Sequence, residues 1–144
     1  MRRRVHPGWL VVFFAFAVSI STWLPWLTTS VDGGGWGSAI GGTHGSLLLP
    51  HGFGLGQLIA LLASVLVVVG AAVGRGLSLR TASIAALVIS LLLLALTVVY
   101  YQHNVHAQVA AAYGLYLGAV GAGCAATCSL WAVVSALAAG RSSR

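Results

Sequence analysis

The sequence contains no lysine and no glutamate, and Asp32 is its only acidic residue. It has two cysteines, three prolines and seven arginines in 144 residues. With 6% charged residues, 59% hydrophobic residues and a mean hydropathy of +0.99, the chain cannot cover a soluble domain with polar surface. The missing lysine excludes a P-loop, and no GxGxxG aligns through Gly33, Gly34, Gly35, Gly37, Gly41 and Gly42. With one carboxylate there is no acid/base pair, and nothing orients a particular histidine toward a serine. No catalytic activity and no cofactor are expected.

What is present is apolar length. Crossing a hydrocarbon core of ~30 Å takes about 20 apolar residues. Four stretches reach it: spans at about 8–27, 53–73, 82–100 and 109–137, separated by 28–52, 74–81 and 102–108. The expected fold is all-α, an integral-membrane four-helix bundle of two transmembrane hairpins forming one domain over 1–144. A four-span path puts Arg2, Arg3, Arg4, Arg75, Arg80, Arg141 and Arg144 on one side, which the positive-inside rule makes cytoplasmic together with both termini. The arginines form no basic face with interleaved aromatics, so nucleic acid is not an expected partner. Asp32, His44, His51, His103 and His106 fall on the other side. Segment 28–52 is then a long, glycine-rich extracytoplasmic loop.

Aromatic spacing agrees with these limits, since Trp and Tyr gather at membrane interfaces. Trp9 and Trp26 lie roughly 25 Å apart by helical rise, and Tyr113 and Trp131 roughly 27 Å. A cleavable signal peptide is the rival reading of MRRR followed by VVFFAFAVSI. It lacks a small-x-small cleavage site after Ile20, and cleavage would strand an odd number of spans.

Close helix contact in lipid relies on small residues. Gly52, Gly56, Ala60 and Ser64 recur every fourth position in the second span, and Gly114, Gly118, Ala122 and Ala126 do so in the fourth. Ser83, Ser90 and Thr97 recur every seventh in the third, the period of a left-handed seam. These stripes hold the helices together or leave one face for a partner protein. Gln57 is read as a helix-to-helix or helix-to-loop hydrogen bond. Cys124 and Cys128, spaced i,i+4, are read as small packing residues rather than a disulfide.

The four histidines on the acidic side are the candidates for metal or haem, with His103 and His106 an i,i+3 pair if the third helix continues past Tyr101. No second carboxylate is available to orient them, and solvated loop histidines are the simpler expectation. In the long loop, Trp36 would anchor in headgroups, Leu47 to Leu49 before Pro50 would dip, and Trp36 with Asp32 would mark a partner surface.

At WLPWL (23–27), SAIGG (38–42), GFGLGQL (52–58) and YGLYLG (113–118) the chain resembles small four-span membrane proteins of mycobacteria and related actinobacteria, conserved transmembrane proteins without assigned function. The resemblance implies the fold and a bacterial plasma-membrane location, and it carries over no site residue. The expected role is that of a non-catalytic accessory or assembly subunit of a larger membrane complex, touching the bilayer and either another membrane protein or itself. The alternatives are a small redox or metal-binding protein using the histidines, and a carrier or pore for an uncharged solute.

Overall fold

A computed structural model describes residues 6–47 and 54–141. The described chain is mostly helical, with helices α1 (Pro7–Ser21), α2 (Leu55–Gly74), α3 (Leu79–Asn104) and α4 (Tyr113–Arg141). The all-α expectation needs one correction. The segment after α1 forms strands β1 (Pro25–Thr29), β2 (Gly35–Ser38) and β3 (Thr43–Gly45), and the α3–α4 connection adds β4 (Ala110–Ala111). They make one antiparallel sheet in the order β3-β2-β1-β4. Hydropathy alone could not reveal it, because the strands are glycine-rich or as apolar as the spans beside them.

The first helix closes at Ser21 instead of running to Leu27. Pro25 offers no amide, and the ring pushes Leu24 away from helical backbone. The last carbonyls are met locally: the Ser21 hydroxyl donates to Val18 O (2.7 Å), the Thr22 hydroxyl to Ser19 O (2.6 Å), and the Trp26 indole N–H to Ser21 O (2.6 Å). At the other end, Pro7 occupies the first turn and His6 Nδ1 accepts from Gly8 N–H. The α2–α3 turn is a Schellman closure. Gly76 has φ +76°, Gly76 N–H donates to Val73 O, and Leu77 N–H donates to Ala72 O.

Three helices, α2, α3 and α4, are long and apolar enough to cross a membrane, while α1 is a shorter apolar helix of 15 residues. The helices pack in a ring in which each touches its two neighbours, α1 against α2 and α4, and α3 against α2 and α4. Their inward faces step by three and four residues: Gly56, Ile59, Ala63, Leu66, Gly70, Val73 on α2, and Ser83, Ala86, Ser90, Leu93, Thr97, Tyr100 on α3. This average period of about 3.5 residues is that of a left-handed bundle seam. A strict four-residue stripe rotates about 40° per step off such a seam. Gly56 is therefore buried, Ala60 half-buried and Ser64 exposed, with the Ser64 hydroxyl bonded to Ala60 O. On α4 all four stripe members, Gly114, Gly118, Ala122 and Ala126, are buried. That helix faces both α1 and α3, so its buried arc is wide enough to contain the drift.

Midway along α3 and α4, the hydroxyls of Ser90 and Ser129 lie 3.2 Å apart and buried. Ser90 already donates to Ala86 O (2.6 Å), which leaves Ser129 as the donor between the helices. At the end away from the sheet, Gly8 lies against the Val73–Gly74 backbone, and Trp9 covers Gly74. Neither Gly8 nor Gly74 belongs to the stripes read from the sequence. The Gly70-x-x-x-Gly74 spacing was the signal that marked this contact.

Apolar side chains also cover the outside of the ring. Phe13, Phe16 and Ile20 on α1, Leu61 and Val68 on α2, Val88 and Leu91 on α3, and Val120 and Leu130 on α4 are all exposed. Such contiguous apolar surface is what a lipid-facing helix presents, and water does not tolerate it.

Candidate functional site at the sheet end

The sheet sits where α1 and α3 end and α2 and α4 begin. Its attachment centres on Trp26, which is fully buried. The indole meets Tyr100 of α3 edge-to-face at 5.1 Å, lies over Gly114 and Gly118 of α4, and donates to the end of α1. Its backbone oxygen accepts from Ala112 N–H at 2.8 Å. One side chain thus joins three helices to the central strand. The sequence reading placed Trp26 in an interfacial belt. Trp23, 71% exposed, is the tryptophan that stands on the surface there.

A second attachment joins the sheet to α2. Gly56 abuts the Ala39 carbonyl so closely that any side chain would collide with it. One residue on, Gln57 Nε2 donates to Ile40 O at 3.1 Å while its Oε1 accepts from Gly54 N–H at 3.3 Å. This is a helix-to-loop bond. A third attachment ties β1 to the α3–α4 connection, with the Thr29 hydroxyl donating to Gln108 O at 2.7 Å. Every fully buried side-chain nitrogen and oxygen among the described residues has a hydrogen-bond partner.

Burial falls off across the sheet. In β1, Trp26 and Leu27 are buried; in β2, Gly37 and Ser38 are; in β3, all three residues are exposed. On this open side Trp36 and His44 are cross-strand partners whose rings stack at 6.0 Å with 20° between planes, and Trp36 is 41% exposed. Asp32 lies in a short 3-10 turn at Val31–Gly33, exposed, with left-handed backbone at φ 50° and ψ 43°. The Ser46 hydroxyl braces this turn by donating to Val31 O at 2.7 Å. Leu47 is buried; Leu48, Leu49, Pro50, His51 and Gly52 lie outside the described residues.

Of the four candidate histidines, His51 lies outside the described residues, and the other three sit in different settings. His44 is engaged with Trp36, and His103 is exposed in the last turn of α3. That helix stops at Asn104 because Val105 is extended (φ −93°, ψ 113°), so the helical i,i+3 pairing of His103 with His106 does not arise. His106 instead exchanges both backbone hydrogen bonds with Val109. Among the described residues, no three His, Cys, Asp or Glu side chains are grouped to hold a metal. An open hollow of about 270 Å³ is bordered by Thr28, Thr29, Ser30, His106 and Gln108. Its hydroxyls and single imidazole can hydrogen-bond a ligand, with the Thr29 hydroxyl proton already donated to Gln108 O.

Arg75, Arg80 and Arg141 all lie at the opposite end of the bundle, with the Arg80 guanidinium against Gly140 in the last turns of α4. Cys124 and Cys128 are free and half-buried on α4. No protein family, curated protein or solved structure matches the chain.

Proposed function

We propose that this is a multi-pass protein of a bacterial plasma membrane, a non-catalytic accessory or assembly subunit that binds another membrane protein through its sheet end. The arginine end faces the cytoplasm and the sheet faces outward, in keeping with the positive-inside rule. The observation that carries the reading is the exposed outer part of the sheet, β3 with the Trp36–His44 stack, held on a firmly anchored base. An edge strand offers unpaired backbone groups to an incoming strand, and a half-exposed tryptophan is the residue type most enriched at binding hot spots. The base is tied to α1, α2 and the α3–α4 connection by hydrogen bonds, which lowers the ordering cost that falls on association.

The test is purification from the native membrane in mild detergent, with mass spectrometry and an absorption scan of the same sample. A stoichiometric membrane partner in a colourless sample is expected, and its recovery should fall at least tenfold in Trp36→Ala while the yield of folded protein is unchanged. A protein found only alone, or carrying haem or copper, overturns the reading.

A further inference from the structure

Between α3 and α4, on the sheet side of the Ser90–Ser129 contact, the ring opens into a lateral cleft of about 160 Å³. Leu94, Thr97 and Tyr101 of α3 and Leu115, Tyr116 and Ala119 of α4 line it. Ala119 is too small to fill the gap. The Thr97 hydroxyl is turned back onto Leu93 O at 2.8 Å, so it offers the cleft no free donor.

We propose that this cleft seats one acyl chain of a membrane lipid from the leaflet on the sheet side. The inference rests on the membrane-spanning reading above. Three observations choose the occupant. Water needs two to four polar partners to occupy a cavity, and the wall this cleft presents is almost wholly apolar, so the cleft does not hold water well. A helix is about 10 Å across with its side chains, whereas this volume holds roughly five water-sized groups at about 30 Å³ each, the bulk of a short run of methylenes. Finally, Tyr101 and Tyr116, both exposed, flank the cleft near the sheet end of α3 and the start of α4, and tyrosines take positions where acyl chains give way to headgroups. The polar hollow bordered by His106 and Gln108 belongs to the connection joining these two helices, on the headgroup side. The lipid lies with its chain along Thr97 and Ala119 and its head toward that connection.

The experiment uses the full-length protein in phosphatidylglycerol vesicles doped with a phospholipid carrying a photoreactive diazirine in its acyl chain, with adducts mapped by peptide mass spectrometry. Adducts are expected to concentrate at least fivefold on segments 94–101 and 115–119 relative to the exposed Phe13 and Phe16 of α1. Ala119→Phe, which fills the cleft, should remove that excess, while Val120→Phe on the open face of α4 should leave it. Adducts spread over all four helices in proportion to exposure in the wild-type protein overturn the inference, and that result depends on no variant. Carbonate washing of the same vesicles separates the two readings. Protein released by the wash overturns the membrane assignment and this inference with it; protein retained with uniform adducts overturns the lipid seat alone.

Discussion

The middle of the bundle and its sheet end are held by opposite means. In the middle, alanine, glycine and serine interleave with Ile59, Leu66 and Leu93 along whole helix faces, and the polar contact between Ser90 and Ser129 is one bond within that long seam. At the sheet end, one large side chain, Trp26, does the joining, helped by directed bonds from Gln57 and Thr29 to loop carbonyls. Contact through small residues is distributed, so losing one member costs little. Attachment through a single indole is concentrated, and its loss should be felt across the whole sheet.

The sharpest way to break this contrast is Trp26→Ala. Emptying a fully buried tryptophan site costs about 3–5 kcal/mol. Thermal unfolding in detergent should fall accordingly, and amide exchange should show residues 28–46 losing protection before α2. Uniform loss across both regions would mean that the sheet and the bundle unfold as one unit. Next in size is Gly8→Leu, which forces a side chain into the Val73–Gly74 backbone. Overpacking of this kind costs about 1–3 kcal/mol, and here it should loosen the arginine end while exchange in the sheet stays unchanged. Gln57→Leu leaves the Ile40 carbonyl without its partner, at about 1 kcal/mol, read as faster exchange at 38–42 alone. The smallest effect belongs to Ser129→Ala. Interhelical hydrogen bonds in membrane bundles average about 0.6 kcal/mol, and Ser90 retains its bond to Ala86, so melting should scarcely move.

The contrast also explains what could be read from the sequence. Four helices, their order and the inward line of Ser83, Ser90 and Thr97 were legible because burial repeats with helical period and the residues are small. The sheet was not legible. β2 and β3 are only four and three residues long, with glycines among single polar or aromatic residues, which carry no apolar alternation, and Trp26-Leu27 of β1 are as apolar as the span they follow. Trp26 was assigned an interface by its spacing from Trp9, a rule that counts residues along one helix and fails once the helix has ended. Trp36 and Asp32, the residues of the proposed partner surface, stood out as an oddity of composition, but the stacking of His44 on Trp36 needed the β2–β3 register. Gly56 was read as part of a helix-packing stripe; its neighbour is a loop carbonyl from a segment 17 residues away, a proximity that no local pattern encodes.

The shortness of α1 has a further consequence. By helical rise it spans about 22 Å against about 30 Å for α2, so under the membrane placement proposed above the chain on its side would leave helical form before an average hydrocarbon core has been crossed. Non-helical backbone at that depth is tolerable only when its amides and carbonyls are already satisfied. The strand placed there is β1, an inner strand that is paired along both edges at Leu27 and Thr28 and is covered by the bundle at Trp26 and Leu27. The strand order thus acts as insulation: the segment that would suffer most from contact with lipid is wrapped on each side, and the exposed residues of the sheet are gathered in β3, the edge strand separated from it by β2.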